Sequence, residues 1–277
     1  MGRVNVLVSG LDEGITSPFL KDGTLHFLVQ TTGDIFALGD DNIPTRVNNS
    51  SGQPSGAAVD EEGATFVADL AHAAVVVASA DGKHQMVVRV YEDKPFKGPT
   101  SLCFDSEGTM YFTDGGPMGE TGLHNPTGSL YCITGGQSGQ MLKPLALEWL
   151  AAPTGVAVSP DDRYVYVCEA GANRVVRFAA RPRGVWHAAV FRQFSGGMGP
   201  SAACCDARGR LFVAAHDFAG GDSEMNGKIY VLSAEGDVEE TIEVPGPEIT
   251  GITINPRTNQ LYVTEDSTNS IYTVDVS

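Results

Sequence analysis

The stretch APTGVAVSPDDRYVYVCEAGANRVVRF, Ala152–Phe178, contains three short runs of strand-forming residues and begins beside the pair Pro153–Thr154. Its apolar residues alternate with small or polar residues, and an Asp-rich turn separates the first run from the second. This pattern predicts antiparallel strands joined by tight turns. The same order of hydroxyl residue, alternating run, turn and second run recurs along the chain. The stretch is therefore one copy of an internal repeat, and the repeat decides the fold.

Six copies of the repeat are present. A third apolar run closes each copy, and a looser fourth run follows most of them. Four strands in about 40 to 50 residues are typical of a β-propeller blade. We therefore predict an all-β fold with one domain, residues 1–277, built as a six-bladed β-propeller of four-stranded antiparallel blades. The hydroxyl residues that begin the copies lie 39 to 54 residues apart, at Thr16, Ser55, Thr100, Thr154, Ser201 and Thr250.

The two ends of the sequence complement each other. The last copy has no fourth run after its third, whereas the strand-like segment Arg3–Leu11 precedes the first copy. A closed ring leaves no long unpaired strand edge. We therefore predict that Arg3–Leu11 pairs with Ile271–Val276 and completes the last blade.

Composition limits which binding partners and which cellular location we expect. The net charge of −16 repels phosphate backbones, so nucleic acid is not an expected partner. We find no signal peptide and no apolar run of membrane-spanning length, so we expect a cytoplasmic protein without a membrane partner. The five cysteines lie within apolar runs, which favours reduced, buried thiols over disulfides or a metal cluster.

The repeat resembles a known superfamily of propellers. QPSGAAVDEEGATFVADL, residues 53–70, and GPTSLCFDSEGTMYFTDGG, residues 98–116, resemble the six-bladed propellers of regucalcin, the gluconolactonases and strictosidine synthase-like proteins, with the looser NHL repeats. The extended connection YFTDGGPMGETGLHNPTGSLYCI, residues 111–133, looks most like that of gluconolactonase and regucalcin relatives. This resemblance implies a lactone or ester hydrolase that acts on a small polar molecule at the channel mouth.

The resemblance also implies a divalent metal, held by a Glu of the first blade, an Asn of the fourth and an Asp of the fifth. Matching the motifs places Thr16, Thr154 and Ser201 at these positions. Hard divalent cations prefer charged oxygen ligands, so we expect no tightly bound metal there and leave the cofactor unknown. The six hydroxyl residues are instead predicted to bind a ligand in the channel. The alternative is that each hydroxyl bonds a neighbouring backbone group.

Acidic residues recur where the second strand of the later copies ends, and one histidine lies beside them. We predict that Asp114, Glu169 and His216 act as acid and base on a bound ligand. The alternative for the acids is that they cap the following loops through backbone N–H groups. His124 is a second candidate histidine, with an exposed loop position as its alternative. The acids of this series are Asp69, Asp114, Glu169, Asp217 and Glu265.

Three hypotheses for function remain open at the level of sequence. The first is the hydrolase, favoured by long loops at residues 115–127 and 216–227 that could cover a pocket. The second is a non-catalytic NHL-like propeller, or a strictosidine synthase-like protein, whose top face binds a metabolite or a protein partner. The third is a scaffold with a decayed site. Fold alone does not choose among them.

Overall fold

The strands form six four-stranded antiparallel sheets. The computed structural model describes residues 2–79, 84–135, 139–216 and 225–276, apart from the side chain of residue 183. The innermost strands of consecutive sheets contact one another, and those of the last and first sheets also meet. The predicted six-bladed β-propeller is therefore confirmed. No helix in the described residues is long or apolar enough to cross a membrane.

The strands follow the blades in chain order. A short two-stranded hairpin lies between the second and third blades, and two 3₁₀ turns, Ala170–Ala172 and Pro182–Gly184, lie in the fourth. The strands are β1 (Val4–Ser9); in the first blade β2 (Ile15–Lys21), β3 (Thr24–Val29), β4 (Asp34–Leu38) and β5 (Pro44–Asn49); in the second β6 (Pro54–Val59), β7 (Thr65–Asp69), β8 (Ala74–Ala78) and β9 (His84–Val88); then β10 (Val90–Tyr91) and β11 (Lys94–Pro95); in the third β12 (Pro99–Phe104), β13 (Met110–Asp114), β14 (Gly128–Thr134) and β15 (Met141–Leu150); in the fourth β16 (Pro153–Val158), β17 (Tyr164–Glu169), β18 (Arg174–Arg181) and β19 (Val185–Gln193); in the fifth β20 (Pro200–Cys205), β21 (Leu211–Ala215), β22 (Asn226–Leu232) and β23 (Val238–Pro245); and in the sixth β24 (Ile249–Asn255), β25 (Gln260–Glu265) and β26 (Ser270–Asp275).

The N-terminal strand closes the ring, as the sequence predicts. β1 runs antiparallel to β26, with Val4 opposite Val274 and Ser9 opposite Ser270. It supplies the outer strand that the sixth blade otherwise lacks, giving the order β1-β26-β25-β24. The first and last strands of the chain therefore share one sheet.

The hydrophobic core lies between neighbouring blades. One cluster between the second and third blades stacks Phe96, Phe112 and Tyr131, with ring centroids 5.1 to 5.3 Å apart. Each of the other five interfaces between consecutive blades has a similar buried cluster. Because this packing uses the faces of the sheets, the innermost strands remain available to line the channel.

A β-bulge lies at the hydroxyl residue near the start of the innermost strand. In the third blade Pro99 pairs with Asp114 and Ser101 with Thr113, which leaves Thr100 outside the regular pairing. Such a bulge redirects the side chain of the extra residue. The register shift includes the hydroxyl residue in five blades, at Ser55, Thr100, Thr154, Ser201 and Thr250. In the first blade it falls just after Thr16.

Candidate functional site

The central channel holds a cavity of about 870 Å³, lined by the innermost strand of every blade. Ligand pockets for small molecules typically measure about 300 to 1,000 Å³. All six predicted hydroxyl residues line this cavity. The structure therefore brings these residues together at the place that the repeat predicts.

The six hydroxyl groups form a belt of hydrogen bonds between blades, which we call the hydroxyl belt. Each hydroxyl donates to a backbone carbonyl of an adjacent blade, and the belt continues across the junction of the sixth and first blades. The hydroxyl protons are therefore already engaged in hydrogen bonds within the protein. The hydroxyl oxygens are available to a ligand only as hydrogen-bond acceptors. Ligand binding by these residues stays a prediction. The bonds are Thr16 to Thr250 O (3.1 Å), Ser55 to Thr100 O (2.9 Å), Thr100 to Pro153 O (2.9 Å), Thr154 to Pro200 O (3.0 Å), Ser201 to Ile249 O (2.7 Å) and Thr250 to Ile15 O (2.6 Å).

The belt does not fit the divalent metal that the resemblance implies. Thr16, Thr154 and Ser201 are neutral, and each donates its proton to a carbonyl. A hard cation requires charged oxygen ligands to repay its dehydration. Across the described ranges, no group of three or more His, Cys, Asp or Glu side chains is arranged to hold a metal either.

The structure places Asp114 and Glu169 away from the cavity wall. Glu169 is 1% exposed; its Oε1 accepts from the Ala151 N–H at 2.8 Å and its Oε2 from Arg174 Nε at 2.5 Å. Asp114, 3% exposed, accepts from two consecutive backbone N–H groups, and burial raises its pKa against the effect of those bonds. Both carboxylates thus accept from backbone N–H groups, as the alternative interpretation states, but these groups belong to the segment before the innermost strand and not to the following loop. Their catalytic assignment remains a prediction that this geometry does not support.

The strand register shows why the predicted acids turn away from the channel. In four blades the residue opposite the start of the innermost strand is an acid, but in the fifth blade it is Ala215. Asp217, the predicted acid of that blade, lies outside the described residues. Successive residues of a strand point to opposite faces, so the next residue in each blade turns toward the cavity. We call these six residues the mouth ring: Gln30, Leu70, Gly115, Ala170, His216 and Asp266.

Among the described residues, the ionisable side chains that line the mouth lie on the fifth and sixth blades. His216, Glu248 and Asp266 all line the cavity, and Asp266 Oδ1 accepts from the N–H groups of Gly14 at 2.6 Å and Ile15 at 2.9 Å. His216 also borders a smaller cavity of about 240 Å³. With Gln30 of the adjoining first blade these residues form the polar arc of the mouth.

The protonation of the polar arc follows from its burial and its neighbouring charges. Burial lowers the pKa of His216, although the charge of Glu265 partly opposes this. Burial raises the pKa of Glu248, and the carboxylates of Asp266 and Glu265 raise it further. His216 is therefore neutral near neutral pH and able to accept a proton. Glu248 and Asp266 provide acceptors on the wall of the same cavity.

Sequence reasoning identified His216 but missed Glu248 and Asp266. Glu248 precedes its innermost strand where the third and fifth copies have Gly98 and Gly199, so an acid that replaces glycine in the aligned repeats was the available signal. Asp266 directly follows Glu265, the acid that recurs in the repeat. The prediction therefore selected the residue next to it.

The structure describes the whole of the first predicted rim loop but only part of the second. Gly115, Gly116, Pro117, Met118 and Gly119 of the first loop border the cavity. His124 in the same loop is exposed and is not part of the lining. Most of the second loop, residues 217–224, lies outside the described residues.

The cysteines differ in part from the prediction. All five are free thiols, but Cys103, Cys204 and Cys205 are half-buried and line the channel, whereas Cys132 and Cys168 are buried. Burial raises the pKa of Cys205 to about 12, so this thiol stays neutral. The three channel thiols therefore add to the apolar part of the wall.

The sequence profile of the SMP-30/Gluconolactonase/LRE-like region matches residues 102–267, more than half of the chain. The chain belongs to this family. Lactonase drp35 of Staphylococcus aureus is 25% identical over 266 residues, covering 88% of this chain and 76% of the relative. Lactonase drp35 of Staphylococcus epidermidis is 24% identical over 260 residues, covering 88% of this chain and 75% of that protein.

Solved structures agree on the fold of the SMP-30/Gluconolactonase/LRE-like family. A gluconolactonase from Xanthomonas campestris superposes with a TM-score of 0.83 at 20% identity and covers 100% of this chain and 90% of its own. A calcium-binding regucalcin from Agrobacterium tumefaciens gives 0.79 at 18% identity, covering 99% and 94%. At these identities the likeness shows the fold alone.

Proposed function

We propose that the chain hydrolyses a lactone or ester of a small molecule at the mouth of the propeller channel. One observation carries this proposal: His216, a histidine with a lowered pKa, borders the 870 Å³ cavity on the same arc as Glu248 and Asp266. Two curated relatives are named lactonases, which supports the reaction class for this fold. Of the three residues predicted to be catalytic, His216 lines the cavity, which supports its role in this proposal.

Hydrolysis of a lactone requires a general base for the attacking water and surroundings that stabilise the charge that develops on the substrate. A water molecule next to His216 attacks the carbonyl carbon of the ring while the imidazole takes a proton from that water. The tetrahedral adduct then collapses, the ring C–O bond breaks, and the alkoxide oxygen takes the proton from the imidazolium. The product is a hydroxy acid, and the enzyme returns to its starting protonation state. Glu248 supplies a hydrogen-bond acceptor that orients the attacking water.

The test is acid release from a panel of lactones and aryl esters by the wild type and three variants. We expect His216→Gln to lower kcat/KM by about 100- to 10,000-fold, the range of a general base. Glu248→Gln should cause a smaller loss through poorer orientation of the water. His187→Gln, on the exposed outer strand β19, is the matched control and should leave kcat/KM unchanged.

Two results would count against this proposal. Turnover that survives His216→Gln at the wild-type rate would remove the histidine from the mechanism. The absence of turnover on every substrate, with all variants folded, would favour the non-catalytic propeller that binds a metabolite or protein at this face.

A further inference from the structure

The channel wall changes character along its axis. Below the hydroxyl belt each innermost strand ends with a half-buried apolar or thiol side chain that lines the cavity. Each of these six packs against the core cluster between two blades while part of its surface remains exposed. We call them the apolar ring: Leu20, Val59, Phe104, Val158, Cys205 and Ile254.

The mouth is also divided into two sides. Opposite the polar arc, the mouth-ring residues of the second to fourth blades are Leu70, Gly115 and Ala170, none of which has a polar side chain. One methionine extends this side: Met118 is 98% exposed and lines the cavity, whereas Met198, 56% exposed, donates its N–H to His216 O and adjoins the polar arc. A ligand that enters from above therefore meets charge on one side and apolar surface on the other.

We propose that the substrate is a lactone that bears an apolar chain or ring, and not a polyhydroxylated sugar lactone. The carbonyl lies against the polar arc, and the apolar portion extends past the hydroxyl belt to the apolar ring. This inference rests on the proposed function for the type of reaction. It concerns which ligand binds, and ligand binding is measured separately from turnover.

Desolvation gives the physical reason. The hydroxyl belt already donates its protons to backbone carbonyls, so it cannot donate to the oxygens of a sugar. The belt oxygens can accept from sugar hydroxyl groups, but the sugar oxygens lose the donors that water supplies, which weakens binding, whereas each buried methylene strengthens it by about fourfold. The cavity volume of about 870 Å³ is also ample for a ligand with a side chain of several carbons.

The first experiment compares γ-lactones of increasing alkyl length with D-glucono-1,5-lactone. We expect kcat/KM to rise with each added methylene, by about fourfold at most, until the chain reaches the apolar ring. The sugar lactone should be the poorest substrate. A flat series, or a preference for the sugar lactone, would overturn the inference while leaving the hydrolase intact.

The second experiment measures binding without turnover, by calorimetric titration with 3-hexylcyclopentanone, which has the shape of a γ-hexyl lactone but no ester bond. Val158→Thr, which keeps the shape of the side chain in the apolar ring, should weaken binding by about tenfold. Val190→Thr, on the exposed outer strand β19, is the matched control and should change nothing.

These two experiments distinguish the proposed hydrolase activity from the proposed apolar binding site. Binding of the ketone without turnover of any lactone would support the apolar site and contradict the hydrolase. No binding of the ketone, or equal binding by the wild type and Val158→Thr, would overturn the apolar site. Cys205→Ser, which is nearly isosteric, replaces Val158→Thr if the urea midpoint shows that the threonine variant is misfolded.

Discussion

At the scale of single residues, neighbouring positions at the end of one strand face opposite ways. Glu265 is buried and accepts from the backbone N–H groups of Glu248 and Thr268, whereas Asp266 turns to the cavity. The same division applies to Ala215 and His216 in the fifth blade. A one-residue difference therefore separates a buried side chain from one that reaches the cavity wall.

The pH dependence of turnover follows from the lowered pKa of His216. The neutral imidazole is the active base, so activity is present above its folded-state pKa and is lost as the pH falls through it. We expect kcat/KM to be level near pH 7 and to fall about tenfold per pH unit on an acidic limb centred below the ordinary histidine value of about 6.5. A pH profile of kcat/KM tests this, and His216→Gln should abolish the limb. A limb centred above pH 7 would contradict the argument.

The ion pair of buried Glu169 with half-buried Arg174 predicts that substitution of Glu169 lowers stability without lowering activity. Glu169→Gln removes the charge that faces Arg174 and weakens the acceptor for the Ala151 N–H. We expect the free energy of unfolding to fall by about 1 to 3 kcal/mol while kcat/KM of the folded protein stays constant. Urea denaturation measures this, with Glu148→Gln in the exposed pair with Lys94 as a near-silent control. A folded, fully stable variant without activity would restore Glu169 to the mechanism.

At the scale of elements, the innermost strands approach one another most closely just after the hydroxyl belt. Even-numbered blades have a glycine there, and each packs against the backbone of the next blade. A Cβ on Gly56 would lie 2.7 Å from Ser101 Cα, and one on Gly155 would lie 2.7 Å from Ala202 Cα. The glycine of the repeat is therefore required by contact between blades.

This close approach predicts the effect of Gly155→Ala. The added methyl group must displace the backbone of β20, and overpacking of this kind costs about 1 to 3 kcal/mol. The urea midpoint should fall accordingly. Gly135→Ala is the control, because a Cβ there meets nothing within 4 Å. Equal midpoints for the two variants would show that the blades separate without cost.

At the scale of the whole molecule, closure depends on strands from opposite ends of the chain. β1 pairs with β26 from Val4 to Ser9, and Asp266 bonds to Gly14 and Ile15 across the same junction. The hydroxyl belt also crosses this junction, from Thr250 to Ile15. The sixth blade thus takes part in ring closure, in the hydroxyl belt and in the polar arc.

Removal of residues 1–10 tests the closure. It exposes the edge of β26 and removes its ladder of hydrogen bonds to β1, each worth about 1 kcal/mol. We expect a fall in stability of several kcal/mol and a greater tendency to aggregate. Thermal unfolding and light scattering measure both. A truncated protein that melts with the full chain would show that β1 is dispensable.

The hydroxyl belt predicts independence from divalent metal at Thr16, Thr154 and Ser201. Three neutral hydroxyls whose protons are donated to carbonyls provide no charge for such an ion. Elemental analysis after dialysis should find no stoichiometric metal, and EDTA should leave kcat/KM unchanged. A stoichiometric ion bound by these three side chains in a crystal structure would contradict the prediction.

The repeat alone specified the six blades, the strand order and the closing strand, because alternation and turn residues are local signals that recur in each copy. It also placed the hydroxyl residues at the starts of the innermost strands. Tertiary structure decided what these residues bond, since a hydroxyl in one copy finds its acceptor in a neighbouring blade. It also assembled His216 with Glu248 and Asp266, because the bulge and strand register set which of two adjacent residues faces the channel.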